Sequence, residues 1–263
     1  MSTKNPGGSQ SEHGNKTGSS GKTVKIGENI SFAAKEAFNL LRTNLTLSFA
    51  DTKGARIIGV TSSFRGEGKS FVSANLAISL AEANARVLLL EGDLRLPTMA
   101  KILDVNRTPG VSNILTGSIN DVTEALQRHV CGSRLDVITS GDIPPNPSEL
   151  LGSDRMKSLM DLLSNNYEYI IFDLPPVTAV PDPIVVTPIV DGIILVVRHE
   201  YADKKAIQET MRQLRVANAK ILGFVYNGND SDTKKYSKKY YKGRYKRYYS
   251  NEYTEDSHKH TAE

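Results

Sequence analysis

From Ser31 to Ala50 apolar residues recur at helical spacing, at Phe38, Leu41, Leu45 and Phe49, with Ser31 placed as a cap. The spacing predicts an amphipathic helix ahead of the main sheet. Beyond it the period changes, and short runs dense in Ile, Val and Leu alternate with segments of helical period. Strands are predicted at Arg56 to Ser62, Val87 to Leu90 and Leu135 to Thr139. Further strands are predicted at Tyr169 to Asp173, Gly192 to Val197 and Ile221 to Tyr226. Helices are predicted from Lys69 to about Ala83, near Val111 to Leu115, Val122 to Arg128 and Asp154 to Leu163, and from Lys204 to Val216. Strands that read as continuous apolar runs between helices imply a mainly parallel sheet buried on both faces. The expected fold class is therefore α/β and doubly wound, with helices on both faces of the sheet. Such a fold binds its ligand beyond the carboxyl ends of the strands.

At 263 residues and 39% hydrophobic, the chain has room for one sizeable core. Residues 1–28 hold Ser, Gly, Asn and Lys without an apolar run, which reads as a disordered leader instead of a secretory signal. Residues 29–228 make the expected domain, and 229–263 a flexible tail. No window reaches the roughly eighteen apolar residues of a membrane span, so a soluble chain is expected. The single cysteine, Cys131, excludes an intrachain disulfide and a multi-cysteine zinc cluster. The net charge of +4 arises largely in the tail, which leaves the domain near neutral and without a general nucleic-acid footprint.

The strand ending at Ser62 runs into Ser63-Phe-Arg-Gly-Glu-Gly-Lys-Ser70, a phosphate-binding loop pattern with Ser63 where glycine is usual. Gly66 and Gly68 let the backbone close round phosphates, with Glu67 between them and Phe71 directly after. Lys69 is placed to reach the β and γ oxygens and Ser70 to ligate Mg²⁺. Two acidic strand ends converge on the same sheet edge: Leu90 runs into Glu91-Gly92-Asp93, and Phe172 into Asp173. Asp93 and Asp173 are therefore expected to face the metal near Ser70, with Glu91 or Asp93 as proton acceptor.

Seven of the eleven tyrosines crowd into the last stretch: Tyr236, Tyr240, Tyr241, Tyr245, Tyr248, Tyr249 and Tyr253. They are interleaved with Lys and Arg, and no Leu, Ile, Val or Phe follows Val225. So little aliphatic surface cannot offset ordering entropy, and the phenols are expected in solvent as phosphate acceptors. Treated as a coil, the roughly 26 residues from Asn227 to Tyr253 span about 25–30 Å, enough to reach a neighbouring copy.

Together these features resemble the bacterial tyrosine kinases that govern capsule and exopolysaccharide synthesis. The likeness runs from about Glu36 to the end and rests on five stretches. These are Gly66-Glu-Gly-Lys-Ser70, Leu90-Glu-Gly-Asp-Leu-Arg-Leu-Pro97, Pro145-Asn-Pro-Ser-Glu-Leu-Leu151, the strand to Asp173 and the tyrosine tail. The resemblance implies a P-loop NTPase fold of the deviant-Walker kind, ATP and Mg²⁺ as cofactors, and autophosphorylation of the tail in trans. It puts Glu91 where the family has the first Asp of an Asp-x-Asp pair. Asn227 falls where related ATPases touch adenine. The family's Glu-x-x-Arg-x-x-Arg oligomerisation helix reads Glu36-x-x-Asn39-x-x-Arg42 here, which makes Glu36 and Arg42 the homo-oligomer contacts. Implied partners are the cytosolic tail of a transmembrane polysaccharide co-polymerase, acting as activator, and a cognate phosphotyrosine phosphatase. Nucleic acid is not among them. The implied location is cytoplasmic, with recruitment to the inner face of the membrane. Two rival readings are a partition or positioning ATPase switch, which would carry a lysine at Phe64, and a tail that binds nucleic acid or anionic lipid.

Overall fold

A computed structural model describes residues 26–27, 30–51, 53–132 and 134–228. The seven tail tyrosines and nearly all of the leader lie outside these residues. Helix α1 (Phe32–Ser48) precedes β1 (Arg56–Ser62), α2 (Lys69–Glu82), β2 (Val87–Glu91), α3 (Met99–Leu103) and α4 (Val111–Thr116). Then come β3 (Gln127–Val130), β4 (Leu135–Ile138), α5 (Pro147–Leu151), α6 (Asp154–Ser164) and β5 (Tyr169–Asp173). Helix α7 (Asp182–Val185), β6 (Gly192–Arg198), α8 (Lys204–Val216) and β7 (Ile221–Asn227) complete the order.

The strands form one sheet in the order β3-β4-β2-β5-β1-β6-β7, with β3 antiparallel to β4 and every other pair parallel. The doubly wound α/β expectation therefore holds. Alternate residues of each strand feed opposite layers, as the two-residue period of a strand requires. Ile58, Val87, Leu89 and Ile171 pack toward α1 and α2 with Phe38, Leu45, Leu76 and Leu80. Leu88, Leu90, Ile170 and Phe172 pack toward α4, α5 and α6 with Leu115, Leu151, Leu159 and Met160. Helix α2 is buried along nearly its whole length, from Val72 to Ala81.

The Ser31 hydroxyl caps α1, accepting from the Ala34 amide at 3.3 Å. The segment Val122 to Arg128 departs from expectation: only Val122–Glu124 coils, as a single 3₁₀ turn, and the chain then extends into β3. Pairing with β4 supplies backbone partners that outweigh the weak helical spacing of Val122, Ala125 and Leu126. No helix among the described residues is long and apolar enough to cross a membrane.

Candidate active site

Strand β1 ends at Ser62, and the chain turns through Ser63–Gly68 into α2. Gly66 (φ +86°) and Gly68 (φ +90°) adopt the left-handed conformation that glycine tolerates without steric cost. The turn is braced from outside. Glu67 is fully buried and accepts the Phe64 amide at 2.7 Å. Arg198 donates to the Gly66 carbonyl at 3.0 Å, Tyr201 to the Arg65 carbonyl at 3.0 Å, and Asn227 Nδ2 to the Glu67 carbonyl at 2.9 Å. With these carbonyls engaged elsewhere, the first-turn amides of α2, which have no intrahelical acceptor, and the positive end of the helix dipole are left for an anion.

Lys69 and Ser70 open α2 next to the ends of β2 and β5. Lys69 Nζ lies 3.0 Å from Asp93 Oδ2, 3.8 Å from Asp173 Oδ2 and 3.4 Å from Ser70 Oγ. Ser70 Oγ donates to Asp173 Oδ2 at 2.6 Å, and Ser73 Oγ lies 2.9 Å from Asp173 Oδ1. Burial works against charge on Lys69, but Asp173 and then Asp93 outweigh it and hold the ammonium above the ordinary lysine value. Burial pushes the fully enclosed Asp173 carboxyl up, against the pull of Lys69, Ser70 and Ser73. The structure thus brings Lys69, Ser70, Asp93 and Asp173 into one buried cluster, as the sequence predicts.

The other predicted residues divide. Phe71 lines the same cleft and meets the Phe38 ring edge-on at 6.0 Å. Glu91 stands one strand further out, beside Asp173, with its carboxylate on the amides of Thr98, Met99 and Ser140. Asn227 packs against the phosphate loop. Glu36 accepts from Asn39, while Arg42 is bound within its own chain, donating to the Ser79 carbonyl at 2.6 Å and to its hydroxyl at 3.0 Å. Arg95, Ser148, Asp182, Arg198 and Tyr201 were not expected as contributors. Ser73 also went unpredicted, although its position three residues after Ser70 puts both hydroxyls on one helix face.

A cleft of about 790 Å³ opens over the cluster, lined by the loop and by Arg95, Leu96, Ile102, Pro175 and Val180 among others. A second cleft of the same volume, lined by Arg86, Arg134 and Tyr167, lies at the opposite ends of the strands and holds none of the predicted residues. No three His, Cys, Asp or Glu side chains converge to hold a metal alone among the described residues. The oxygens of Ser70, Asp93 and Asp173 nevertheless fit Mg²⁺, which takes one or two carboxylates and completes its shell with water and nucleotide phosphate.

Comparison with known proteins agrees with this geometry. A family model described as ParA: NUBPL iron-transfer P-loop NTPase matches residues 53–255. The Bacillus subtilis tyrosine-protein kinase YwqD is 35% identical over 195 residues, covering 73% of this chain and 80% of that protein. EpsB of Ralstonia solanacearum is 37% identical over 201 residues, 76% of this chain, yet the chain spans only 26% of its length. Among solved structures, the kinase domain of the Escherichia coli tyrosine kinase ETK is similar with a TM-score of 0.71 and 35% identity. It covers 74% of this chain and 75% of that one. The chimerical protein CapA2B2 is similar with a TM-score of 0.68 and 34% identity, over 73% of this chain and 83% of that one. With a phosphate loop, its paired carboxylates and these relatives in agreement, the chain belongs to the bacterial tyrosine kinase family of P-loop NTPases.

Proposed function

We propose that the chain transfers the γ-phosphoryl group of ATP to tyrosine, including Tyr236, Tyr240, Tyr241, Tyr245, Tyr248, Tyr249 and Tyr253 of an adjacent copy. The buried cluster of Lys69, Ser70, Asp93 and Asp173 carries this reading, because phosphoryl transfer depends on positioning and charge neutralisation more than on covalent chemistry. The phosphate loop and the N-terminus of α2 hold the phosphates. Lys69 meets the charge that develops on the transferred group. The phenolic oxygen bonds to the γ-phosphorus as the bond to the bridging oxygen of ADP breaks, and Asp93 takes the phenolic proton. Ser70 and the carboxylates Asp93 and Asp173 would hold Mg²⁺, which when bound would supply further neutralisation of phosphate charge. Asn227, at the base of the loop, contacts adenine in this reading.

Strand β7 runs parallel to its neighbour and ends at Asn227 against the phosphate loop, which supports a tail that begins on the loop's side of the sheet. Regulation of capsule or exopolysaccharide synthesis, self-assembly through Glu36 and Arg42, and a cognate phosphatase follow from the family resemblance. So does recruitment to the inner membrane face by the cytosolic tail of a transmembrane activator. Incubation with ATP and Mg²⁺, assayed for phosphotyrosine against Lys69→Met, tests the reading. Signal in the wild type alone supports it; ATP hydrolysis without phosphotyrosine refutes it in favour of an ATPase switch.

A further inference from the structure

Glu91 ends β2 as a fully buried carboxylate whose two oxygens are both committed to backbone amides. Oε1 accepts from Thr98 N at 2.6 Å and Met99 N at 2.7 Å, and Oε2 accepts from Ser140 N at 3.0 Å. Thr98 and Met99 begin α3 and Ser140 follows β4, so one side chain joins the ends of three segments. Between Glu91 and Thr98 runs the loop Gly92–Pro97, which carries Asp93.

That loop has a second anchor. Arg95 grips the buried Asp182 through Nε at 2.9 Å and Nη2 at 3.1 Å, and reaches Ser148 Oγ at 2.9 Å. The Ser148 hydroxyl donates to Asp182 as well. Ser148 belongs to Pro145–Leu151, a stretch that otherwise has no place in the chemistry. Within the loop, Asp93 Oδ1 accepts the Leu96 amide at 3.0 Å, which leaves Oδ2 on Lys69. A general base or metal ligand needs lone pairs aimed at the nucleotide. Of the roughly four lone pairs of a carboxylate, Glu91 gives three to backbone amides, with Oε1 filled, whereas Asp93 accepts one donor per oxygen and keeps one lone pair free on each.

We infer that Glu91 is a positioning residue: with the Arg95–Asp182–Ser148 cluster it clamps the loop Gly92–Pro97, so that Asp93 is held against Lys69. It neither takes the proton nor holds the metal. The inference rests on the kinase reading and separates from it by the rank order of two substitutions. Glu91→Asp keeps a carboxylate but withdraws it by one carbon–carbon bond, about 1.5 Å, so it cannot span from α3 to Ser140. Glu91→Gln keeps the length and an accepting oxygen for the start of α3, yet is no base.

The test measures kcat and KM for ATP in phosphotyrosine formation by the full chain, with a thermal melt of each variant. The clamp predicts that Glu91→Gln loses about tenfold in kcat, as for other groups that orient a reacting residue. Glu91→Asp is expected to lose about a hundredfold, as a displacement of the order of an ångström does. KM for ATP stays near that of the wild type in both. The reverse order, with Asp active and Gln dead, makes Glu91 the base or metal ligand and overturns the inference. If Glu91→Asp fails to fold, Ser148→Ala decides. A kcat at least about threefold lower, in keeping with the loss of its hydrogen bonds to both Arg95 and Asp182, supports the clamp, and an unchanged kcat overturns it. A wild type that hydrolyses ATP but makes no phosphotyrosine defeats the kinase reading, and the variants are then ranked on hydrolysis.

Discussion

Gly68 is the position where the phosphate loop and the end of the sheet leave least room, and substituting it gives a measurable coupling. Its φ of +90° costs a residue bearing a Cβ about 1–2 kcal/mol. A Cβ there falls 2.0 Å from Asn227 Nδ2, so the amide must swing away and give up its hydrogen bond to the Glu67 carbonyl. That bond contributes about 1 kcal/mol. Gly68→Ala is therefore expected to cost about 2–3 kcal/mol, which lowers Tm by about 5–10 °C in a domain of this size. Asn227→Ala alone loses the hydrogen bond, about 1 kcal/mol. The double variant loses that bond only once and keeps the strain, so its total stays at about 2–3 kcal/mol and the coupling is about −1 kcal/mol. Urea melts of the wild type, both single variants and the double variant, without nucleotide, measure the cycle. Simple addition to about 3–4 kcal/mol would refute Asn227 as a brace of the loop.

The raised pKa of Lys69 fixes a pH profile: its attraction to Asp173 and Asp93 is fully present below the ordinary lysine value and is lost as pH rises through the raised one. The stability advantage of wild type over Lys69→Met should therefore hold up to about pH 9 and fall only in stronger alkali; a fall of that advantage between about pH 7 and about pH 9 would contradict it. Tyr167 donates to Asp136 Oδ2 at 2.8 Å in the second cleft, and burial, followed by that bond, pushes its phenol up. Tyr167→Phe should cost about 1 kcal/mol in a denaturant melt while leaving phosphotyrosine formation unchanged. Leu45 is 3% exposed where α1 packs on the core, so Leu45→Ala should destabilise by about 2–5 kcal/mol; a loss under about 1 kcal/mol would mean that α1 is loosely docked.

Much of this site was legible because its chemistry follows one chain segment. Strand, glycines, Lys69, Ser70 and helix are contiguous, and β5 needed only its apolar run to place Asp173 at a strand end. Glu91 was harder. Two residues from Asp93 and of the same charge, it differs only in which donors it meets, and these come from α3 and from Ser140, 49 residues away. The strand order sets β2 beyond β5 from the phosphate loop, which puts Asp173 between Glu91 and Ser70. Helices α3, α5 and α7 escaped notice because four or five residues cannot form a stable helix by propensity alone. They are held by tertiary contacts such as the Glu91 carboxylate under α3. Asp182 stands between two prolines with no motif around it, and only the fold reveals its pairing with Arg95.

The central claim is that the cluster around Lys69 passes phosphate to tyrosine. Peptide mass spectrometry of the full chain after incubation with ATP and Mg²⁺ tests it most directly. The account predicts successive phosphate additions that map to Tyr236, Tyr240, Tyr241, Tyr245, Tyr248, Tyr249 or Tyr253 and are absent from Lys69→Met. ADP production with every one of these tyrosines unmodified, or equal modification of Lys69→Met, would contradict it.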